Sequence, residues 1–250
     1  MIFGFRKPAP SDSPILVVDA LGFSSRIKAC DMESLVRLSD RLDKQYHRFR
    51  AKVPFGLAWV TAKRVFGTRE FSTFRLNDMF VLFCEKVMKD APHRHLVASS
   101  LLFHVLLLEG FVPRGGLGAG LVLRKTDSIL GGGFIDAYEA SEKRPDAIRN
   151  VCAVCLSTEF LARVRPSSMT YKLLCFYEGR FFLNPCALTD PEMGKFDSDR
   201  ILQLLRSSGA NVEKLNATER FLQEFEDYDA AQRLGSRSWE FVARSSSKEE

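Results

Sequence analysis

The run Gly115-Gly116-Leu117-Gly118-Ala119-Gly120-Leu121-Val122-Leu123 constrains the fold more than any other segment of the chain. It reads as a strand, and glycine inside a strand marks a place where a helix or another backbone comes close. Any fold for this chain must therefore bring an element against Gly115, Gly116, Gly118 and Gly120.

The segments around it supply candidates. His93 to Glu109 is a strongly apolar helix stopped by Gly110, and Gly131-Gly132-Gly133 precedes a helix from Phe134 to Lys143. Upstream, Ile15-Leu16-Val17-Val18 is a buried strand that delivers Asp19 to its C-terminal end, followed by the turn Ala20 to Ser25. From Met32 to Ala51, Leu35, Leu38, Leu42, Tyr46 and Phe49 mark one face of an amphipathic helix. Phe71 to Leu76 and Met79 to Phe83 form a hairpin turning at Asn77-Asp78, and Tyr171 to Phe182 a second one turning at Glu178-Gly179. The segment 55–69 fits a strand, a short helix or an insertion equally well. This order predicts an α+β chain of the ferredoxin-like split βαβ type, with one antiparallel-rich sheet and helices on one face. Two appended helices, around Ile201 to Leu205 and Phe221 to Phe225, follow.

Composition excludes several functions. A net charge of +5 is a mild excess, without a dense basic tract or a nucleic-acid-binding motif, so no nucleic-acid partner is expected. The most apolar stretch, His95 to Gly110, is too short to span a bilayer, and Met1 to Pro10 lacks a secretory signal, so no membrane partner is expected either. The six cysteines lie mostly in apolar runs, which suits a reducing compartment such as the cytoplasm. Cys152 and Cys155 make one C-x-x-C pair in what reads as an apolar helix turn, without a second pair to complete a zinc site.

Asp19 and Asp78 carry the chemistry. They are far apart in the chain, but in a split βαβ sheet their strands are neighbours, so the carboxylates converge at one sheet edge. Two acids beside the Gly22-Phe23-Ser24 turn suit hard divalent cations, Mn²⁺ or Mg²⁺, and a triphosphate. Taken singly, each Asp also fits an ordinary turn residue.

Val17-Val18-Asp19-Ala20-Leu21-Gly22-Phe23-Ser24 resembles the first metal-aspartate turn of class III adenylyl and guanylyl cyclases, and Leu76-Asn77-Asp78-Met79-Phe80-Val81 resembles their second. Pro113 to Gly120 is similar to the following R-G-G strand, and Ile129 to Ala137 to the strand-to-helix junction. Within that family, Gly132-Gly133-Phe134-Ile135-Asp136-Ala137-Tyr138-Glu139 is most similar to the pyrimidine cyclases of the bacterial Pycsar antiphage system. The resemblance implies a cyclase domain over 14–186, between a flexible leader (1–13) and a helical extension (187–243) with a disordered tail (244–250). It implies two metals on Asp19, Asp78 and the carbonyl of Ala20. It also implies conversion of UTP or CTP to the 3′,5′-cyclic monophosphate and pyrophosphate, in a homodimer with active sites at its interface, and a separate effector that senses the product.

The chain departs from the purine enzymes where a transition-state Asn and Arg and a base-reading acid are expected, at Ile135, Glu139 and Ser128. A purine cyclase and a cyclase-like module that binds nucleotide without turnover are the alternatives. With the junction Arg absent, Arg75 and Arg114 are the nearest cations in sequence to the proposed site. Gly22, Phe23 and Ser24 are expected to meet substrate, and Tyr138 to stack on or hydrogen-bond a base, although Tyr138 equally fits an interface or core position.

Overall fold

The computed structural model describes residues 11–52, 71–76, 78–84, 91–125, 128–164, 172–187, 189–190 and 194–227. The expectations for residues 1–10, 55–69 and 244–250 lie outside these.

Strand β1 (Ser11–Leu21) is covered on both faces: Leu16, Val18 and Ala20 enter one core cluster, Ile15 and Val17 another. That is the two-residue period of a strand buried on both faces, here from Ser13 to Val18. It begins inside the expected leader, because Ser11 to Ser13 pair with Val122 to Gly120 of β4 (Val112–Lys125). Pro14 is tolerated because β1 gains its second neighbour, β3 (Met79–Cys84), only from Ile15 onward, and a proline needs an unpaired edge for its missing N–H.

Helices α1 (Phe23–Ala29) and α2 (Met32–Lys52) follow β1, and Leu38 and Leu42 of the expected apolar face of α2 are buried. β2 (Phe71–Leu76) pairs with β3 with Leu76 opposite Met79, so the hairpin turns where its sequence indicates. Helix α3 (Ala91–Leu108) is buried continuously from His95 to Leu107 and ends at Gly110, whose φ is 84°. An all-round apolar helix has no other place than an interior.

The second half contains β5 (Ser128–Leu130), α4 (Gly132–Glu142), β6 (Val154–Leu156), α5 (Thr158–Arg163) and the hairpin β7 (Leu174–Tyr177) and β8 (Arg180–Leu183). Its turn puts Glu178 and Gly179 at φ 47° and 75°, the left-handed pair a tight hairpin requires. A small β9 (Thr189–Asp190) and β10 (Gly194–Lys195) pair, helices α6 (Ser198–Ser207) and α7 (Val212–Glu224) and a short β11 (Glu226–Asp227) close the described chain.

Among the described residues, the main sheet has nine strands in the order β11-β7-β8-β6-β4-β1-β3-β2, with β5 on β4. Only the β4–β6 pairing is parallel. The α+β class expected from sequence is shown, and β4-β1-β3-β2 is the order of a split βαβ unit.

Three details differ from expectation. Helices cover both faces, not one: α3 packs with Leu16, Val18 and Leu82, whereas Ala137 and Phe134 of α4 join Ile15, Val17 and Val81 on the reverse side. The glycine strand explains how. A Cβ on Gly116 would collide with the carbonyl oxygen of Ala137, and one on Gly118 would lie 2.8 Å from Asp136 Oδ2, so α4 sits where only glycine leaves room. Second, Cys155 lies in a strand, not a helix turn, because its short apolar run pairs with β4 and β8. Both C-x-x-C thiols are buried and free, as expected. Third, the C-terminal helices share the main core through Ile201, Leu205, Phe221 and Leu222.

Candidate functional site

The β1–β3 ladder places Asp19 opposite Met79, one residue beyond Asp78. The Ala20 N–H donates to the Asp78 carbonyl at 2.9 Å, which locks the hairpin tip onto the end of β1. The Ser24 hydroxyl donates to Asp78 Oδ2 at 2.6 Å. Between them, Gly22 adopts φ 85°, ψ −9°, the left-handed bend that turns the chain from β1 into α1.

Burial first, and the neighbouring Asp78 second, push the Asp19 carboxyl above its ordinary value, while Lys214 and Arg114 pull it partly back. No hydrogen bond to the Asp19 carboxylate occurs among the described residues. It is a half-buried acid, crowded by a second acid, whose opposing charge comes from cations at a distance.

Two carboxylates so placed suit a divalent cation, whose charge would remove the repulsion between them. Among the described residues no group of three or more His, Cys, Asp or Glu side chains gathers for a metal. A cation would therefore take Asp19, Asp78 and a backbone carbonyl such as that of Ala20, and complete its shell with phosphate oxygens and water. Mg²⁺ and Mn²⁺ bind nucleotides with such oxygen sets.

Of the other candidates, Arg114 stands opposite Asp19 in the β1–β4 ladder, but its Nη1 is paired to Glu142 Oε1 at 3.0 Å. Its Nη2 faces the carbonyls of Ser141 and Arg149, each at 3.5 Å, and its buried Nε has no hydrogen-bond partner. Arg75 stands opposite Phe80 on β2, and that backbone position is all the structure describes of it. The Phe23 ring is in the core, 5.7 Å from Phe80 and 5.1 Å from Phe111 between centroids, so only its backbone can meet a ligand. Tyr138 projects from α4 with 52% of its surface exposed, and Ile135 with 57%. Glu139 is tied to Lys143 one turn on.

Sequence reasoning missed several residues of this neighbourhood. Lys214 enters from α7, distant in the chain. Arg144, fully buried, donates through Nη2 to the carbonyls of Gly115 (2.6 Å) and Ala153 (2.9 Å) and through Nη1 to Val151 (2.7 Å). Burial pushes its pKa down to about 10, and it pins the start of β4 that carries Arg114. In the sequence Arg144 lies in the charged run Glu142-Lys143-Arg144-Pro145-Asp146, which carries no signal that this one side chain turns inward. A cavity of about 180 Å³ lies beside Asp136, Arg144, Ser157 and Arg180, without Asp19 or Asp78 in its lining.

No protein-family model matches the chain, and no curated protein matches it. Among the described residues, no helix is long and apolar enough to cross a membrane.

Proposed function

We propose that the chain is a nucleotidyl cyclase that converts UTP or CTP to the 3′,5′-cyclic monophosphate and pyrophosphate. The carrying observation is the meeting of Asp19 and Asp78 at adjacent strand ends, joined by the Ala20–Asp78 hydrogen bond. Two divalent cations, Mn²⁺ or Mg²⁺, bound there would acidify the ribose 3′-hydroxyl and neutralise phosphate charge. Asp19 and Asp78 hold that charge in place, and Ser24 fixes the orientation of Asp78 through its 2.6 Å bond. In the reaction the 3′-oxygen bonds to the α-phosphorus, the α–β bridging P–O bond breaks, and the 3′-proton is lost to solvent. The chain's contribution is positioning and preorganised charge.

A homodimer with active sites at its interface belongs to the same proposal. Leu121 of β4, Leu130 of β5, and Ile135 and Tyr138 of α4 are each more than half exposed and supply apolar surface for it. By the family resemblance, the product would be a signal for a separate effector in antiphage defence, made in the cytoplasm. One observation favours a second reading, a module that binds nucleotide without turnover: Glu139 is engaged with Lys143 where purine cyclases place a catalytic Arg.

Incubating the purified chain with each α-labelled NTP and Mn²⁺, then resolving products by chromatography, separates these readings. A cyclic pyrimidine product that disappears in Asp19→Ala and Asp78→Ala is expected. Failure to turn over any of the four NTPs overturns the cyclase reading, and Mn²⁺-dependent binding without pyrophosphate release favours the module.

A further inference from the structure

The α7 helix opens with Asn211-Val212-Glu213-Lys214. The Asn211 side chain caps it by accepting the Lys214 N–H at 3.0 Å, so Lys214 stands in the first turn. Glu213 suits that end of a helix, whereas a lysine opposes the macrodipole. Nothing within α7 accounts for a cation there.

Tertiary contacts do. The Thr218 hydroxyl, fully buried, accepts the Cys152 N–H at 2.9 Å, and Asn150 Nδ2 donates to Glu213 Oε2 at 3.4 Å. These contacts seat the first turns of α7 over residues 150–152. The next residue, Ala153, accepts the Gly115 N–H at 3.2 Å, and Gly115 adjoins Arg114, the cross-strand partner of Asp19. On the other flank the end of α6 presses on the Gly22 turn, where a Cβ would come within 2.9 Å of Ser208 Cβ. The α6–α7 pair thus brackets the Asp19 edge, and the half-buried Lys214 is close enough to act on Asp19 electrostatically. Among the described residues Lys214 forms no ion pair within 4.0 Å, in contrast to Arg114, which Glu142 holds.

We infer that Lys214 is the polyphosphate-binding cation of the Asp19–Asp78 site, delivered by the C-terminal helical pair. The inference rests on the reading that this site takes a metal-bound triphosphate. Two carboxylates and an ionised triphosphate outweigh two divalent cations by about two charges, and lysine is a compact point charge suited to phosphate oxygens. Lys214 would bind and orient the phosphates, a role that Arg114, held by Glu142, is less free to play.

Inorganic tripolyphosphate with Mn²⁺ tests this on the full chain without involving a base. Calorimetry on Lys214→Gln should show roughly ten- to a hundredfold weaker binding of Mn²⁺–tripolyphosphate, the range for one charge-assisted contact. Affinity for Mn²⁺ alone and the melting temperature should hold, and Lys214→Arg should recover most of the loss. If Asp19→Asn abolishes binding while Lys214→Gln stays within about twofold, the Lys214 role is wrong and the site reading stands. Wild-type protein that binds no Mn²⁺–tripolyphosphate, or binds it equally well as Asp19→Asn, overturns both.

Discussion

Asp19 and Asp136 are both half-buried acids on the same face of the sheet, and burial is the leading cause that raises the pKa of each. Their surroundings differ. Asp136 Oδ2 accepts the Ala119 N–H at 2.9 Å and the Ser157 hydroxyl at 2.5 Å, so its charge is answered locally, and Ser157 also caps α5 by accepting the Phe160 N–H at 3.0 Å. Asp19 has no such donors among the described residues and faces a second carboxylate instead. Asp136 holds α4 and α5 to β4. Asp19 makes no comparable tie to the fold among the described residues, and perturbed acids of this kind cluster at functional sites, which is what supports the metal-binding role proposed for it.

The largest expected effect breaks this comparison outright. Asp19→Asn should lower NTP turnover by at least about a thousandfold, because the amide cannot balance metal charge. Asp136→Asn, which keeps an acceptor for Ala119 and Ser157, should leave turnover of the same order. A radiolabelled product assay on both variants checks this, and equal losses would erase the distinction.

Stability should reverse the ranking. Asp136→Ala strands the N–H of Ala119, a residue only 2% exposed, at a cost of about 2–3 kcal/mol. Gly118→Ala, whose new methyl would press on Asp136 Oδ2 and the Ala137 backbone, should cost about 1–3 kcal/mol by overpacking. Urea unfolding at neutral pH reads both.

How far the sequence showed this contrast depends on the range of the contacts. The β1 run, the hairpin ending at Asp78 and the α2 face follow from local periodicity, and the ferredoxin-like strand order follows from them. The glycines of β4 announced a close neighbour, and α4 is that neighbour, but nothing local said that it lies on the face opposite α3. The Cys155 run was too short for periodicity to separate strand from helix. Phe23 looked like part of a binding turn because its burial depends on Phe80 and Phe111, and Lys214 was invisible because only the docking of α7 through Thr218 brings it near Asp19.

A third measurement sharpens the comparison by removing an acid effect that neither carboxylate causes. A carboxylate whose folded pKa is raised makes its contribution to stability in acid, so Asp136 should favour the fold as pH falls. His95 acts in the other direction. Its ring is buried between the Leu82 carbonyl (3.0 Å) and the Ser99 hydroxyl (3.1 Å), and burial lowers its pKa to about 3. With an unfolded value near 6.5, its contribution is complete above pH 6.5 and is lost as pH falls toward 3. At pH 5 the loss amounts to about 2 kcal/mol. His95→Gln, weaker at neutral pH, should show a flatter decline between pH 7 and 5 in chemical unfolding; an unchanged slope would mean that the ring is protonated in the fold.

The smallest effect is the most diagnostic of Asp19. An acid that the fold makes hard to ionise lowers stability at neutral pH, so replacing it with a neutral isostere should strengthen the metal-free protein. Asp19→Asn should gain roughly 1 kcal/mol, the common size of such charge relief at a functional site, which is about 2–4 °C in melting temperature for a chain of this size. Added Mn²⁺ should raise the melting temperature of wild type, by mass action on the folded state, and leave that of Asp19→Asn unmoved. A loss of metal-free stability in Asp19→Asn would instead make Asp19 a structural acid like Asp136, and the two ends of the comparison would become one.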